Sequence, residues 1–208
     1  MSPRQLRAIE TRSRLIVAAA EEIEQAGYAA ASVASICDRA GVTKGAMYFH
    51  FTGKDDLAAA IIRSVAHPIS ARASTLLAAG MAPPGVLGGV THHLSRLLTE
   101  DVVARCSIAL VHTPGGDLHR VPNLCSDWTF TVWRLVHRSA ASGLIRVGAG
   151  VPAVARLVTA TVTGHIQSIA LRGPRVAEDI DASWALLEPA LFEPALFEPG
   201  GFADSSRH

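Results

Sequence analysis

The chain has 208 residues, 19 Lys and Arg against 18 Asp and Glu, a formal net charge of +1, and 49% apolar residues. A charged fraction of 18% with a mean hydropathy of +0.28 excludes a mainly disordered chain, which would be poor in apolar residues and rich in charge. The near-neutral balance also excludes nucleic-acid recognition by bulk charge, so any such reading has to rest on local pattern.

Residues 4–14 supply the first local pattern: Arg4, Arg7, Arg12 and Arg14 stand against the single Glu10. This run precedes only the short apolar stretch Leu15–Ala20, too little for a secretory signal. The best membrane-span candidate, 151–171, is interrupted by Arg156, His165 and Gln167. A cytoplasmic protein with no membrane partner is expected. Cys37, Cys106 and Cys125 lack C-x-x-C spacing, which argues against a disulfide framework.

Strand-like alternation is scarce, and alanine and leucine dominate, so an all-helical chain is predicted. A first helix runs from about Arg7 to Ala26, with Ile9, Ile16, Ala20 and Ile23 on one face and Gly27 as its stop. Ser32 caps a second, short helix whose inner face is Val33, Ile36, Cys37 and Ala40, ended by Gly41. Thr43 caps a third through about His50. Thr52-Gly53-Lys54-Asp55 opens a fourth, with Leu57, Ile61, Ile62 and Val65 inward, kinked at Pro68 and continuing to about Ala79. Five further helices are predicted over 84–100, 102–113, 123–142, 152–171 and 177–187, with 114–122 a loop. The last is a candidate to run on to Phe197. The sequence Ala-Leu-Phe-Glu-Pro occurs at 190–194 and again at 195–199. Two copies are too few for a solenoid, and they read as a small duplication giving an amphipathic tail.

Residues 32–51 carry the functional signal. A short helix, a glycine turn at Gly41 and a second short helix form a helix-turn-helix pattern. Thr43 places a hydroxyl at a positive helix end, a natural phosphate site. Lys44 sits in the first turn, where the helix dipole disfavours a cation, which points to an anionic partner. Gly45 costs the helix about 1 kcal/mol but permits close backbone approach to a groove floor. Tyr48 and His50 can donate to phosphates, and Lys54 stands at the next helix start. With Arg4 and Ser32 these residues form the candidate DNA-facing set. Any one of them alone would read as a solvated surface residue. Cys37 falls on the apolar face and reads as core.

Thr43-Lys44-Gly45-Ala46-Met47-Tyr48-Phe49-His50-Phe51, followed by Lys54-Asp55-Asp56-Leu57 and preceded by Gly27-Tyr28, resembles the DNA-binding signature of tetracycline-repressor (TetR) family regulators. The resemblance covers about the first third of the chain. It implies an all-helical homodimer with an N-terminal three-helix DNA-binding domain, placed at 1–53. A helical ligand-binding and dimerisation domain is placed at 54–200, with a tail at 201–208. The implied partners are a pseudo-palindromic double-stranded operator and a small-molecule effector. A narrower resemblance, to γ-butyrolactone autoregulator receptors, rests on Arg4-Gln5-Leu6-Arg7-Ala8, Tyr48-Phe49-His50-Phe51 and Asp127-Trp128. It implies a repressor released by a γ-butyrolactone, butenolide or furan signal, with Trp128 lining the pocket. Some look-alikes bind antibiotics instead, so a drug-like effector stays open. Pro68 and the duplicated tail depart from that pattern.

Trp128 and Trp133 are five residues apart on one helix and so face different ways. Thr159, Thr163 and Gln167 recur every four residues in an apolar helix, a stripe that suits either a ligand's polar groups or local backbone carbonyls. Of these, Thr163 and Gln167 join Trp128 as candidate ligand contacts. Cys106, His112, His119 and Cys125 are spaced too widely for an ordinary zinc site, so no metal or cofactor is expected. No nucleophile-elbow, phosphate-loop, dinucleotide or zincin motif occurs, which leaves an enzyme or ligand-carrier reading without a catalytic constellation.

Overall fold

The computed structural model describes residues 2–112, 118, 121–146, 148, 150–172 and 176–193, with side chains at 168–172 and 176–177 left aside. Ten helices occur among them, and the described chain is all-α. The first, α1 (Pro3–Ala26), begins four residues before the predicted start because Ser2 and Gln5 form a capping box and proline fits the first helical position. Its first fully buried residue is Leu15, so the opening turns project beyond the core.

Helices α2 (Val33–Ala40) and α3 (Lys44–His50) pack against α1 around Ile16, Ala20, Ile36, Cys37, Met47 and Phe51. Gly41 ends α2 in the left-handed region at φ 62°, which turns the chain sharply into α3. In α4 (Lys54–Ser64) the N-cap is Gly53, not Thr52. Thr52 is held instead by Asp56 Oδ2, which accepts from its backbone N at 3.1 Å.

The predicted long fourth helix is two helices. The chain leaves helical geometry at Val65, and α5 (Pro68–Ala78) starts afresh at the proline. Pro68 has no N–H to continue the ladder, and its ring excludes a helical residue before it. Then follow α6 (Pro83–Glu100), α7 (Val102–Val111), α8 (Leu124–Ala141), α9 (Val151–Arg172) and α10 (Val176–Leu191). Adjacent glycines let α6 take neighbours on two sides. A Cβ at Gly88 would lie 2.9 Å from Trp184 Nε1 of α10, and one at Gly89 would lie 2.7 Å from Leu76 Cδ1 of α5. Helix α8 packs on α5, α6 and α9, and α4 packs on both α1 and α7.

The last helix stops at Leu191, short of Phe197. Residues Leu191–Glu193 of the first Ala-Leu-Phe-Glu-Pro copy fold back onto the turn after α8. Arg146 N donates to Leu191 O at 2.9 Å, Glu193 N donates to Leu144 O at 3.0 Å, and Leu191 and Phe192 are buried. The second copy, the tail at 201–208 and most of the predicted 114–122 loop, His119 included, lie outside the described residues. Among the described residues no helix is long and apolar enough to cross a membrane.

Candidate functional site

Helix α3 is anchored from within and presented outward. Met47 and Phe51 are buried in the three-helix core, which fixes the rotation of the helix about its axis. That rotation leaves Thr43, Lys44, Gly45 and Tyr48 exposed, His50 half-buried, and Phe49 79% exposed. Thr43 Oγ1 accepts from Ala46 N at 3.1 Å and so closes the helix end beside Lys44. A Cβ on Gly45 would meet only Thr43 Oγ1 at 3.8 Å, so nothing inside the protein requires glycine there. Phe49 and His50 rings meet edge to face at 5.1 Å. Ser32 is exposed, but its hydroxyl caps α2 by accepting from Ser35 N at 3.0 Å. Arg4 is exposed on the projecting part of α1.

Several residues outside the candidate set hold this unit together. Arg14 reaches across and donates to Ala40 O and Gly41 O, fastening α1 to the end of α2 and the turn that leads into α3. Arg12 lies over the Phe51 ring at 5.1 Å. Arg39 binds Glu22 at 3.0 Å and Gln25 Oε1 at 2.7 Å, closing α2 onto α1. The hydrogen bonds from Ser35 and then Arg39 hold the Glu22 carboxyl below its usual range. Arg12 and Arg14 sit among others in the N-terminal run, and nothing in their spacing marks which face inward.

Lys54 departs from the expectation of a DNA contact. Its ammonium donates to Tyr28 O at 2.8 Å, Ala31 O at 3.0 Å and Ala29 O at 3.3 Å, and lies 4.5 Å above the Tyr28 ring. An ammonium has three N–H donors, and all three are directed into the loop between α1 and α2. Tyr28 in turn donates to Asp55, and burial together with that carboxylate pushes its phenol well above the ordinary range.

In the C-terminal part Trp128 is fully buried on the inner face of α8, and its Nε1 has no acceptor. Thr131 Oγ1, one turn on, is buried without a partner as well. Trp133 lies half-buried on the other side of α8, packed against the edge of the core with its ring 6.0 Å from that of His137. The α9 stripe is not a single line. Each i+4 step turns about 40° around a helix. Thr159 has a buried, unpartnered Oγ1, Thr163 is half-buried, and Gln167 is exposed, so Gln167 does not share the enclosed surroundings of Trp128. Asp127, which the sequence marks only as the neighbour of Trp128, has a structural role of its own. Its buried carboxylate caps α5, accepting from Ile69 N at 2.9 Å and Ser70 N at 3.1 Å. A separate open cleft of about 540 Å³ lies where α1 meets α6 and α7, beside Val17, His93, Leu97 and Val102. Burial, then Arg72 and Arg96, lower the His93 imidazole from its ordinary value.

A short helix seated by buried Met47 and Phe51, with a polar and aromatic outer face and a capped turn before it, defines a helix-turn-helix protein in which further helices, α4 and α7, pack directly against the helix-turn-helix unit. Comparison with known proteins agrees. The family of bacterial regulatory proteins, tetR family, matches residues 15–61. The A-factor receptor protein of Streptomyces griseus is 44% identical over 59 residues, 28% of this chain and 21% of that protein, so this chain spans about a fifth of its length. TylP, a TetR regulator from Streptomyces fradiae, is 30% identical across 89% of this chain and 88% of its own, with a TM-score of 0.64. A γ-butyrolactone receptor described as ArpA-like is 27% identical across 89% of this chain and 99% of its own, with a TM-score of 0.68. The chain belongs to the TetR family of bacterial transcriptional regulators, a family of regulators and not of enzymes.

Proposed function

We propose that this chain is a homodimeric repressor that binds a pseudo-palindromic operator through α3 and is released by a small γ-butyrolactone, butenolide or furan effector. The observation that carries the DNA reading is the outer face of α3. Lys44 and Tyr48 stand exposed next to the Thr43-capped helix end, while Met47 and Phe51 hold the helix fixed. Such a face positions on phosphates and reads base edges in a major groove. Arg4 on the projecting start of α1 and Ser32 at the α2 end extend the phosphate-facing set.

The dimer reading is supported by the apolar side chains that α9 and α10 leave uncovered on one protomer: Leu157 is 45% and Leu186 77% exposed. Pairing these helices into a four-helix bundle sets the two α3 helices on half-sites about one helical turn, ~34 Å, or a multiple apart. Residues 1–53 then form the DNA-binding unit and 54–200 the effector and dimer unit.

The effector reading rests on Trp128. A fully buried indole N–H without an acceptor is costly, and a carbonyl or hydroxyl oxygen on a small flat ring would satisfy it while the ring stacks on the indole. Thr163 of α9 is a second candidate contact. The receptors that resemble this chain bind a γ-butyrolactone or A-factor, as their names record. Effector binding has to favour the released form by a coupling of roughly 1–3 kcal/mol.

The test is a mobility shift with DNA from upstream of the chain's own gene. The shift should weaken with salt and disappear on addition of an alkyl-substituted γ-butyrolactone. A shift insensitive to salt would remove the DNA reading, and one insensitive to every lactone, butenolide and furan tried would remove the effector reading.

A further inference from the structure

Helix α5 is capped from a distance. Pro68 opens it, His67 makes no side-chain cap, and the next two backbone N–H groups face out of the helix end. Both are taken by one carboxylate oxygen, Asp127 Oδ2, at 2.9 Å from Ile69 N and 3.1 Å from Ser70 N. The other oxygen lies 3.9 Å from His67 Nδ1, and the Asp127 side chain is only 3% exposed. Asp127 stands in the first turn of α8, which is itself closed by the reciprocal Asn123–Ser126 cap. The helix positive ends of α5 and α8 both favour the carboxylate where it sits. The following residue is Trp128, enclosed and with its indole N–H unpartnered.

On the other side of this cap the chain is short. Only residues 65–67 separate α5 from α4, and α4 continues directly from α3 through Phe51–Gly53. The start of α5 therefore fixes the end of α4, and α4 packs on α1 of the DNA-binding unit. A displacement of the first turn of α8 carries Asp127 with it. Helix α5 must then follow or lose its cap.

We propose that Asp127 is the positioning residue that links the surroundings of Trp128 to α4, and through α4 to the placement of α3. This rests on the reading of α3 as the DNA reader and of Trp128 as the effector wall. Asp127 touches neither DNA nor effector. It acts by holding Ile69 and Ser70 in register with α8.

The test uses the full-length dimer, hydrogen–deuterium exchange over residues 61–70, and affinity for a duplex selected by the wild type from a random pool. Asp127→Ala should speed exchange over 61–70 and weaken duplex binding, each by about tenfold, within the range of ordinary coupling between sites. Asp127→Asn keeps an acceptor oxygen and should restore both to within about threefold of wild type. Faster exchange with unchanged duplex affinity would overturn the proposal, because Asp127 would then be a cap and nothing more. Unchanged exchange would overturn it equally. Should Asp127→Ala fail to fold, Asp127→Asn decides the matter: a parallel, smaller change in both readouts supports the link, and a change in one alone refutes it. Failure of the wild type to select any duplex would remove the DNA reading instead. The link would then be tested on Trp128→Phe, which should alter exchange over 61–70 in a way that Asp127→Ala abolishes; no alteration, or one that persists with Asp127→Ala, would refute it.

Discussion

Replacing Lys54 by methionine separates two roles that the sequence alone does not distinguish. Methionine keeps the apolar stem and removes the ammonium, which leaves the carbonyls of Tyr28, Ala29 and Ala31 without their donor. A hydrogen bond to a charged group is worth about 1.5–3 kcal/mol. The three contacts share one ammonium on a half-buried side chain, so they do not add, and losing them should cost about 2–3 kcal/mol. The contact with the Tyr28 ring, at 4.5 Å, adds about 0.5–1 kcal/mol. For a chain of this size the melting temperature should fall by roughly 5–16 °C. The DNA assay gives the opposite signature from a phosphate contact. A lysine on a phosphate contributes about 0.9 to the slope of log affinity against log salt, so a dimer losing two would flatten that slope by about 1.8. Lys54→Met should leave the slope unchanged while weakening binding at every salt concentration. A flattened slope with an unchanged melting temperature would refute the inward assignment of Lys54 and return it to the DNA surface.

The remaining predictions concern α3 and α8. Lys44→Ala should flatten the salt slope and leave thermal melting unchanged, since Lys44 is exposed. Tyr48→Phe should weaken operator binding with no loss of stability, measured by titration and melting on the same preparation. Gly45→Ala should raise stability by up to about 1 kcal/mol, because a Cβ there makes only an ordinary van der Waals contact with Thr43 Oγ1, and should nevertheless weaken operator binding through the groove floor. Equal or tighter binding would show that no DNA backbone or base approaches Gly45. Trp128→Ala should abolish release by an added γ-butyrolactone and also cost about 3–5 kcal/mol of stability, because the side chain is fully buried. Trp133→Ala, on the half-buried outer flank, should cost less and leave release intact.

Periodicity and capping made most helices legible, because Ser32, Thr43, Gly27 and Gly41 act locally on the backbone. The turn and the exposed set on α3 were legible for the same reason: a helix of seven residues with Met47 and Phe51 inward has only one face left. Pro68 was visible, but whether it kinks or divides a helix depends on a distant cap, and Asp127 lies 58 residues from Ile69. Lys54 misled for a related reason. A lysine at a helix start near a DNA-reading helix looks like a phosphate contact, and only the fold brings the carbonyls of the α1–α2 loop under it. Gln167 stands apart by rotation: a four-residue repeat drifts around the helix, so its members do not keep one environment. The orientation of the two tryptophans needed one fact that spacing does not carry, which face of α8 meets α5, α6 and α9.

Base-resolution protection of the major groove tests the central claim most directly. The protein is bound to a duplex it has selected, and methylation of guanine N7 in the major groove and adenine N3 in the minor groove is mapped on both strands, with Lys44→Ala as the comparison. Two symmetric patches of major-groove protection should appear, spaced by one helical turn or a multiple of it, and weaker in the variant at equal protein concentration. Protection confined to the minor groove, or two patches unaffected by Lys44→Ala, would contradict the assignment of α3 as the element that reads DNA.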